Sequence, residues 1–412
     1  MDETMMMERV RSIREIRAAV DRIFLRFGHL LPSGRDARIL LKPNLNAAMN
    51  ALTGNTTDLR LCAAVIEALR NRGYRNITIA DGSNSGYYRN KISVLTRLRI
   101  DALARYYGIG AADLNYAQPV PVLFEDGVQA GVARECVEAD LFINLPKLKT
   151  HFEMGMSCCL KNLMGCMVGQ ENKKKVHKNL ARNILHINEQ VKPHLHIIDG
   201  MIAMEGLGPT RGMPVHLGLL IAGTDPVLLD LLCARLARFD YRTVGTLRVA
   251  EETGLLTARH HALVGTAATD AHERTFLPPK ARFLARFIHH PSRQKYFLAI
   301  RNTKLFSLLC STGIGGKILY ATGLRQDVFT TNEVRCDSLS VDRSVCKRCG
   351  RCRDYCPLGK ELPDAVGGGE KVCLHCLYCF MVCPERAIRF EGELGFVQEQ
   401  LRQYDEQVRK IS

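Results

Sequence analysis

The sequence predicts an α/β protein whose mostly parallel sheet is flanked by helices and followed by a small cysteine-rich module. Short apolar segments alternate with helical stretches over the first two thirds of the chain, which is typical of a parallel sheet covered on both faces. Each of these apolar segments ends in a polar or glycine-containing turn. Eight of the 16 cysteines are grouped in the last quarter, in two runs of identical spacing.

Apolar periodicity defines the individual elements of the predicted α/β domain. Apolar residues recur on one helical face from about Met6 to Phe27, which predicts a first amphipathic helix. Strands are predicted at 37–41, 77–80, 141–145, 195–198 and 217–222, with a further short strand at 262–264. Helices are predicted between them at 59–72, 179–191 and 226–237. Because ligands of open α/β sheets bind beyond the carboxyl ends of the strands, one binding crevice is expected there.

The two cysteine runs share the pattern C-x2-C-x2-C-x3-C-P. They comprise Cys346, Cys349, Cys352 and Cys356 before Pro357, and Cys373, Cys376, Cys379 and Cys383 before Pro384. This is the spacing of a bacterial-type ferredoxin with two [4Fe–4S] clusters, in which the fourth cysteine of each run ligates the other cluster. The predicted ligand sets are Cys346, Cys349, Cys352 and Cys383, and Cys373, Cys376, Cys379 and Cys356. Structural zinc sites or a disulfide framework are the alternative, although the third cysteine and the x3-C-P ending are unusual for zinc.

Length and charge suggest how the chain is divided. A chain of 412 residues is long enough for two or three domains. We expect an α/β domain at 1–275, a basic helical connector at 276–335, a small α+β ferredoxin-like domain with two clusters at 336–391, and a charged tail at 392–412. The net charge of +15 is concentrated in the connector. Its basic amphipathic helices at 279–310 are expected to dock the two modules; peripheral contact with an anionic membrane is the alternative.

Composition also indicates the compartment and the partners. Cluster thiolates together with scattered free cysteines indicate a reducing compartment, and the sequence contains no evident signal peptide or transmembrane segment, so a cytoplasmic protein is expected. Nucleic acid is not an expected partner, because the chain has no Trp, only 7% aromatic residues, and its basic excess in a connector. A redox partner protein is expected instead.

Basic residues follow the predicted strand at 141–145. Lys147, Lys149 and His151 come within a few residues of its end, and Lys161 follows shortly afterwards. Ammonium groups in this position would bind a carboxylate or a phosphate, and a histidine could exchange protons near neutral pH. These four residues are therefore the predicted catalytic group. The alternative is a solvated basic loop with no catalytic role.

Carboxylates, an amide and further cysteines lie near these basic residues. Asp81, Asn162, Asp199 and Glu205 are predicted to line the pocket for a substrate or cofactor, with simple neutralisation of the lysines as the alternative. Neither a dinucleotide fingerprint nor a Walker loop is present in the sequence. The adjacent Cys158 and Cys159, with Cys166, are candidates for an additional metal site or for thiol nucleophiles; buried free cysteines are the alternative.

An ordered set of motifs resembles a known family. The motifs are Lys42-Pro43-Asn44, Ala80-Asp81-Gly82, Leu145-Pro146-Lys147-Leu148-Lys149-Thr150-His151, Leu160-Lys161-Asn162-Leu163-Met164-Gly165, the segment 199–209 and the segment 225–230. Over residues 37–270 the chain resembles the domain-of-unknown-function family 362, whose members often carry a ferredoxin module. The resemblance implies the architecture and the clusters, but no substrate. The chain departs from the family at Cys158-Cys159, where members often have small hydroxyl residues or alanine.

Three functions are compatible with these features. The leading prediction is an iron–sulfur oxidoreductase that passes electrons between two [4Fe–4S] clusters and a small anionic substrate or cofactor in the α/β domain. The first alternative is an electron-transfer or scaffold protein without its own turnover. The second is a non-redox enzyme, of isomerase or ligase type, with structural clusters.

Overall fold

The secondary structure alternates between strands and helices from the first described residues onward. The computed structural model describes residues 4–124, 127–266, 275–279, 332–369, 372–398 and 400–401. The strands are β1 (Met5–Arg9), β2 (Ile39–Pro43), β3 (Ile77–Asp81), β4 (Gly110–Asp113), β5 (Pro119–Leu123), β6 (Gln129–Ala133), β7 (Leu141–Leu145), β8 (Lys147–His151), β9 (Gly155–Ser157), β10 (Leu195–Leu207), β11 (Arg211–Gly223), β12 (Arg335–Val341) and β13 (Ile388–Glu393). The α-helices are α1 (Ile13–Arg26), α2 (Leu59–Asn71), α3 (Ser85–Arg89), α4 (Val94–Arg97), α5 (Ile100–Tyr107), α6 (Arg134–Glu138), α7 (Cys159–Asn162), α8 (Gly169–Val176), α9 (Leu180–Val191), α10 (Pro226–Leu236), α11 (Gly245–Glu252), α12 (Ala258–Thr266), α13 (Arg351–Asp354) and α14 (Tyr378–Val382).

Nine of the strands form one mixed sheet. Seven lie side by side in the order β1-β11-β10-β7-β2-β3-β4, and β8 and β9 extend it beside β10. The pairs from β10 to β4 are parallel, whereas β11 pairs antiparallel with both β10 and β1. The predicted α/β class with a mostly parallel sheet and flanking helices is therefore confirmed.

Alternating side chains of the central strands supply two apolar cores, one on each face of the sheet. In β7, Leu141 and Ile143 join the core formed with α1, α2 and α5. Phe142, between them, joins the core formed with α7, α9, α10 and α11. Successive side chains of a strand point to opposite faces of the sheet, and here both faces are buried. The strands are therefore continuous apolar runs in the sequence.

Local signals explain where the helices begin. A capping box formed by Ser12 and Glu15 starts α1, because the Ser12 side chain accepts the Glu15 N–H and the Glu15 carboxylate accepts the Ser12 N–H. The side chain of Asp58 caps α2, and that of Asp225 caps α10 ahead of Pro226. By their bounds, α2, α9 and α10 correspond to the helices predicted at 59–72, 179–191 and 226–237.

Two predicted elements are wrong. The segment expected to be one helix from Met6 to Phe27 contains strand β1 followed by α1, since residues 5–9 pair with β11 and Ser12 starts the helix only afterwards. The segment 262–264, expected to be a strand, lies within α12, which packs against α10. Short apolar runs do not distinguish a strand from a buried helix, which accounts for the second error.

The cysteine-rich module contains the β12–β13 antiparallel pair and the short helices α13 and α14. Its apolar residues Leu339, Tyr355 and Tyr378 belong to the same core as α1 and α2. The module therefore packs directly on one helical face of the α/β domain. A small α+β domain was expected here, and this part of the fold prediction is also confirmed.

Several sequence predictions lie outside the described residues. These are most of the connector at 276–335, including nearly all of the basic segment 279–310 proposed for peripheral membrane contact, and most of the tail at 392–412. The three boundaries between the four predicted regions therefore stay predictions. Within the described ranges, the structure contains no helix that is both long enough and apolar enough to cross a membrane.

Candidate functional site

Buried polar residues are gathered at the carboxyl ends of the parallel strands. At the end of β2, Lys42 Nζ lies 2.6 Å from Asp81 Oδ1 at the end of β3, and both side chains are buried. The other oxygen of Asp81 accepts the N–H of Leu45 at 2.6 Å. A Cβ at Gly165 would lie 2.0 Å from Asp81 Oδ1 and 2.8 Å from Lys42 Nζ. Glycine at this position is therefore required by the close approach of the ion pair.

A second buried ion pair joins Lys147 of β8 to Asp199 of β10. Lys147 Nζ is 2.8 Å from Asp199 Oδ2, and neither side chain is exposed. The same oxygen accepts the N–H of Asp58 at 2.7 Å, and Asp199 Oδ1 accepts the N–H of Met201. Burial raises the pKa of Asp199 above its ordinary value, although Lys147 acts in the opposite direction. The Lys147 ammonium is thus paired with a carboxylate inside the protein.

Asp58 connects this ion pair to the cysteine-rich module. Its carboxylate pairs with Arg60 at 2.8 Å, and the Arg60 guanidinium lies over the Tyr355 ring, 4.1 Å from its centroid. Burial acts to raise the pKa of Asp58, but the charge and hydrogen bonds of Arg60 outweigh it and lower the pKa. The Tyr378 hydroxyl accepts the N–H of Leu59 at 3.4 Å. The first turn of α2 therefore takes part in the contact between the two modules.

Lys149 of β8 is buried among oxygen atoms. Its Nζ donates to Asn44 Oδ1 at 2.9 Å, to Asn46 Oδ1 at 2.8 Å and to the carbonyl oxygen of Asn55 at 2.6 Å. These three acceptors lie on the loop that links β2 to α2. Lys149 consequently fixes that loop against β8.

Asn162 belongs to a network of buried amides. It accepts a hydrogen bond from Asn44 at 2.8 Å and donates one to Asn144 Oδ1 at 2.7 Å. Asn144 in turn lies 3.0 Å from His196 Nδ1. Burial lowers the pKa of His196 to about 3, so this imidazole is neutral. The polar atoms of the Asn162 side chain are therefore hydrogen-bonded to other protein residues.

His151 and Lys161 differ from the other predicted catalytic residues. His151 Nδ1 accepts the N–H groups of Glu153 and Met154 at 3.1 and 3.4 Å, which leaves the proton of the neutral ring on Nε2. Burial, and then the charges of Lys161 and Lys149, lower the pKa of His151 well below its ordinary value. Burial also lowers the pKa of Lys161, whose ammonium makes no hydrogen bond to any described residue. These two residues form a basic site whose hydrogen-bonding groups are not fully used.

Lys173 of α8 is a further buried lysine. Its Nζ donates to Asn115 Oδ1 at 2.8 Å and to the carbonyl oxygens of Gly82 and Ser83 at 3.1 and 2.9 Å. Burial lowers its pKa to about 8, against the opposing effect of Asp81. The end of β3 is thus held by a lysine from a distant helix.

Glu205 lies on the long strand β10, next to Met204, which pairs with Lys149 of β8. Its Oε2 accepts the N–H of Leu277 at 2.8 Å, and Leu277 O accepts the N–H of Gly206. Glu205 therefore fastens the described segment 275–279 to the sheet.

Thiols of the two cysteine runs lie close to one another. Burial raises the pKa of Cys352 to about 11, and Cys349, Cys383 and Cys346 add to this increase. Burial also raises the pKa of Cys376, and Cys379, Cys356 and Cys373 add to the increase. Besides burial, Cys352 of the first run likewise raises the pKa of Cys379 in the second run. Neighbouring thiols from both runs are compatible with the exchange of ligands that the spacing predicts.

A cavity of about 160 Å³ lies between the α/β domain and the cysteine-rich module. Thr57 and Arg97 line it from one side, and Cys376 and Phe396 from the other. Arg97 Nε donates to Glu333 at 2.8 Å. None of the predicted catalytic lysines lines this cavity. This space beside Cys376 is thus separate from the lysine cluster.

Sequence reasoning located the polar cluster but missed several of its members. Lys42, Asp58, Arg60 and Lys173 were not chosen as site residues. Lys42 stands in one of the recognised motifs, and Asp58 precedes a predicted helix. Both residues could therefore have been identified from the sequence. Lys173 stands in a run of three lysines that resembles a solvated helical face, and only the fold shows that it is buried.

Fold and site together define an α/β protein with a buried, lysine-rich polar cluster at the strand ends and a cysteine-rich module packed beside it. The chain belongs to the family described as "Domain of unknown function (DUF362)", which matches residues 39–235. A thylakoid-associated protein of Synechocystis sp. is 31% identical over 236 residues, covering 53% of this chain and 68% of that relative. The solved lactate racemase apoprotein of Thermoanaerobacterium thermosaccharolyticum is similar with a TM-score of 0.34 and 12% identity, covering 57% of each chain.

Proposed function

We propose that the protein is an iron–sulfur oxidoreductase that passes electrons between two [4Fe–4S] clusters and a small anionic substrate or cofactor in the α/β domain. The observation that carries this proposal is that thiols of the two runs lie next to one another. Besides burial, Cys383 of the second run raises the pKa of Cys352, and Cys356 of the first run raises the pKa of Cys376. Together with the repeated C-x2-C-x2-C-x3-C-P spacing, this supports the ligand exchange of two-cluster ferredoxins.

The residues fit two cubane clusters. Cys346, Cys349, Cys352 and Cys383 would hold one cluster, and Cys373, Cys376, Cys379 and Cys356 would hold the other. When bound, such clusters supply one-electron transfer at potentials set by hydrogen bonds and exposure. The chain's own contribution is to exclude water from part of each group, because Cys352 and Cys356 are buried.

The two groups face different surroundings. Cys349 of the first group is exposed, which suits contact with a redox partner protein. The second group is next to Tyr378, whose hydroxyl accepts the N–H of Leu59 at the start of α2. From there Asp58 and Asp199 lead to Lys147 through hydrogen bonds of 2.7 and 2.8 Å. This arrangement supports a direction of transfer in which electrons enter at the exposed first group and are used in the α/β domain.

The anion would be bound by Lys161 and His151. Lys161 has no hydrogen bond to the described residues, and its lowered pKa favours proton exchange nearer neutral pH. The Nε2–H of the neutral His151 can donate to an anion without changing the charge of the ring. Lys147 and Lys149 would position the surrounding strand and loop, since both are buried and bonded to the protein.

Metal analysis and electron paramagnetic resonance of anaerobically purified protein test the cluster content. The expected result is about eight irons and eight sulfides per chain, with signals from two interacting reduced clusters after dithionite reduction. Cys346→Ser should alter one signal and Cys373→Ser the other, while Cys62→Ser, a buried cysteine outside both groups, should change neither. Iron well below eight, or zinc in its place, would contradict the proposal.

A screen of small carboxylates and phosphates tests the anion site. An anion that binds beside Lys161 should change the reduced spectrum or the rate at which the clusters are reoxidised. Lys161→Met should abolish that change, and Lys174→Met, on the exposed face of α8, should retain it. An effect equally strong in the wild type and in Lys161→Met would place the anion elsewhere.

One observation favours a second function, that of an electron-transfer protein without its own turnover. Lys147 and Lys149 are half of the predicted catalytic group. Lys147 pairs with Asp199, and Lys149 donates to three internal acceptors, which are contacts of a kind found in structural networks. Under this alternative the clusters would still exchange electrons with a partner protein. No small anion would then alter their reoxidation, in the wild type or in any lysine variant.

A further inference from the structure

A compact group of buried sulfur and oxygen atoms lies on the sheet face opposite the cysteine-rich module. Cys158 and Cys159 stand at the start of α7, and Asp230 and Cys233 lie one turn apart in α10. We infer that these four side chains form a binding site for a thiophilic divalent cation, with Zn²⁺ as the best chemical match. Neither the clusters nor the anion site of the proposed function involves this group.

The distances suit a tetrahedral ion. The Sγ atoms of Cys158 and Cys159 and a carboxylate oxygen of Asp230 all lie within 4.8 Å of one another. Cys158 Sγ and Cys233 Sγ are 3.7 Å apart. Two thiolates that bind one zinc ion at about 2.3 Å are separated by about 3.8 Å in a tetrahedral arrangement. Cys158, Cys159 and Asp230 therefore need little movement to become ligands, whereas Cys233 is close to Cys158 and must move nearer to the other two.

The carboxylate supplies an independent reason for a cation. Asp230 is buried, and it accepts the N–H of Cys159 at 2.7 Å and that of Leu160 at 3.4 Å. No lysine or arginine of the described residues forms an ion pair with it. A carboxylate buried without a counter-charge is unfavourable, and a bound divalent cation would offset that cost.

The donor types select the metal. Thiolates favour Zn²⁺ and Cu(I) over Mg²⁺ and Ca²⁺, and the added carboxylate favours Zn²⁺ over Cu(I). Three thiolates and one carboxylate carry the same formal charge as the four thiolates of a common structural zinc site. The ion would tie α7 to α10, and α7 also carries Lys161. Its role would be to hold that helix in place.

A neighbouring pair of cysteines provides the matched control. Cys136 and Cys166 are also buried and interact through their thiols, and neither belongs to a set of three metal-binding donors among the described residues. Cys166→Ser therefore removes a buried thiol from the same core without removing a proposed ligand.

Metal analysis with zinc-edge X-ray absorption of the anaerobically purified full chain tests the site without interference from iron. The wild type should contain about one zinc per chain, with three sulfur ligands near 2.3 Å and one oxygen ligand near 2.0 Å. Cys158→Ser and Cys233→Ser should each lose most of this zinc, and Cys166→Ser should keep it. The iron content should be the same in all of these proteins.

Three outcomes would overturn the inference. These are absence of zinc from the wild type, equal zinc in Cys158→Ser and Cys166→Ser, and a zinc site of four sulfur ligands, which would place the ion in the cluster cysteines. If the cysteine variants fail to fold, Asp230→Asn decides the question, because the amide oxygen can still accept the shorter of the two hydrogen bonds, from the N–H of Cys159. This variant should fold and lose the oxygen ligand; an unchanged zinc spectrum would refute the site.

Discussion

Lys147 and Asp199 lie directly opposite each other where β8 pairs with β10, and their side chains meet at 2.8 Å with no exposure to solvent. The ion pair therefore links β8 to β10, the same two strands that are paired through their backbones. Asp199 also accepts the N–H of Asp58, which brings the start of α2 to the same point. A lysine predicted to be catalytic is thus first of all a structural connection between three elements.

Asp199→Asn should destabilise the protein by about 3–5 kcal/mol, because it leaves the Lys147 ammonium buried without a counter-charge. Urea unfolding measures the change. The double variant Lys147→Met/Asp199→Leu should recover much of the loss, since it removes both charges. Asp140→Asn, at the exposed ion pair with Arg38, should have little effect. Equal stability of Asp199→Asn and Asp140→Asn would contradict the structural role.

Lys149→Met and Lys161→Met should differ in their effects on stability. Lys149 fills three acceptors on the loop after β2, so its loss leaves buried oxygens unsatisfied and should cost about 2–4 kcal/mol. Lys161 makes no hydrogen bond to the described residues, and burial already disfavours its charge. Its replacement should therefore leave the unfolding free energy nearly unchanged. Comparable losses in the two variants would show that Lys161 is also structural.

Gly165→Ala should disrupt the ion pair between Lys42 and Asp81, since the new methyl group would lie 2.0 Å from Asp81 Oδ1. The expected cost is about 2–4 kcal/mol, from overpacking and a disturbed buried pair. Gly28→Ala is the matched control, because nothing lies within 4 Å of a Cβ at that position. Thermal unfolding should separate the two variants clearly, and similar melting temperatures would contradict the close packing.

His196 should contribute to loss of stability in acid. Folded His196 stays neutral down to about pH 3, whereas the unfolded chain takes up a proton near pH 6.5. The unfolded state therefore gains protons first, and stability falls as the pH falls from 6.5 towards 3. Between about pH 7.5 and about pH 5.5 this group should cost about 1.4 kcal/mol. His196→Gln should lose correspondingly less stability over that range in urea unfolding; an identical loss would exclude the linkage.

Arg60→Met should weaken the contact between the two modules. It removes the cation that lies over Tyr355 and leaves Asp58 buried without its ion-pair partner. Hydrogen exchange should accelerate at the start of α2 and in α13 and α14, while β3 and β4 remain protected. Arg22→Met, at the more exposed pair with Glu8, should leave these segments unchanged. Uniform acceleration throughout the chain would indicate general destabilisation instead.

The sequence was most informative where one periodicity or one spacing determines the structure. The five apolar strands and the helices α2, α9 and α10 could be predicted because apolar runs and amphipathic stretches alternate regularly between polar turns, as in an α/β fold. The ligand sets of the two clusters stay a prediction from the two identical runs. Strand β1 was missed because its partner, β11, lies far along the chain, and no local pattern reveals such a pairing.

The sequence predicted which residues of the polar cluster lie near one another, but not the bonding partner of each residue. The spacing placed Lys147, Lys149 and His151 after one strand, but it could not distinguish a residue bonded inside the protein from one available to a ligand. That distinction depends on distant partners such as Asp199 and Asn44, which the fold brings close. Glu205 was grouped with the lysines because of its position in a motif, and nothing in that motif indicated its hydrogen bond with the backbone of Leu277.

The pairing of β1 with β11 also affects the order in which the chain can fold as it is made. Residues 5–9 complete the sheet only when residues 219–223 have left the ribosome, since the two strands are hydrogen-bonded along their length. At about 5–20 residues per second, the first strand waits roughly 10–40 s for its partner. Throughout that interval α1 has no finished sheet to cover, so a nascent chain of this protein exposes an apolar surface that a chaperone can bind.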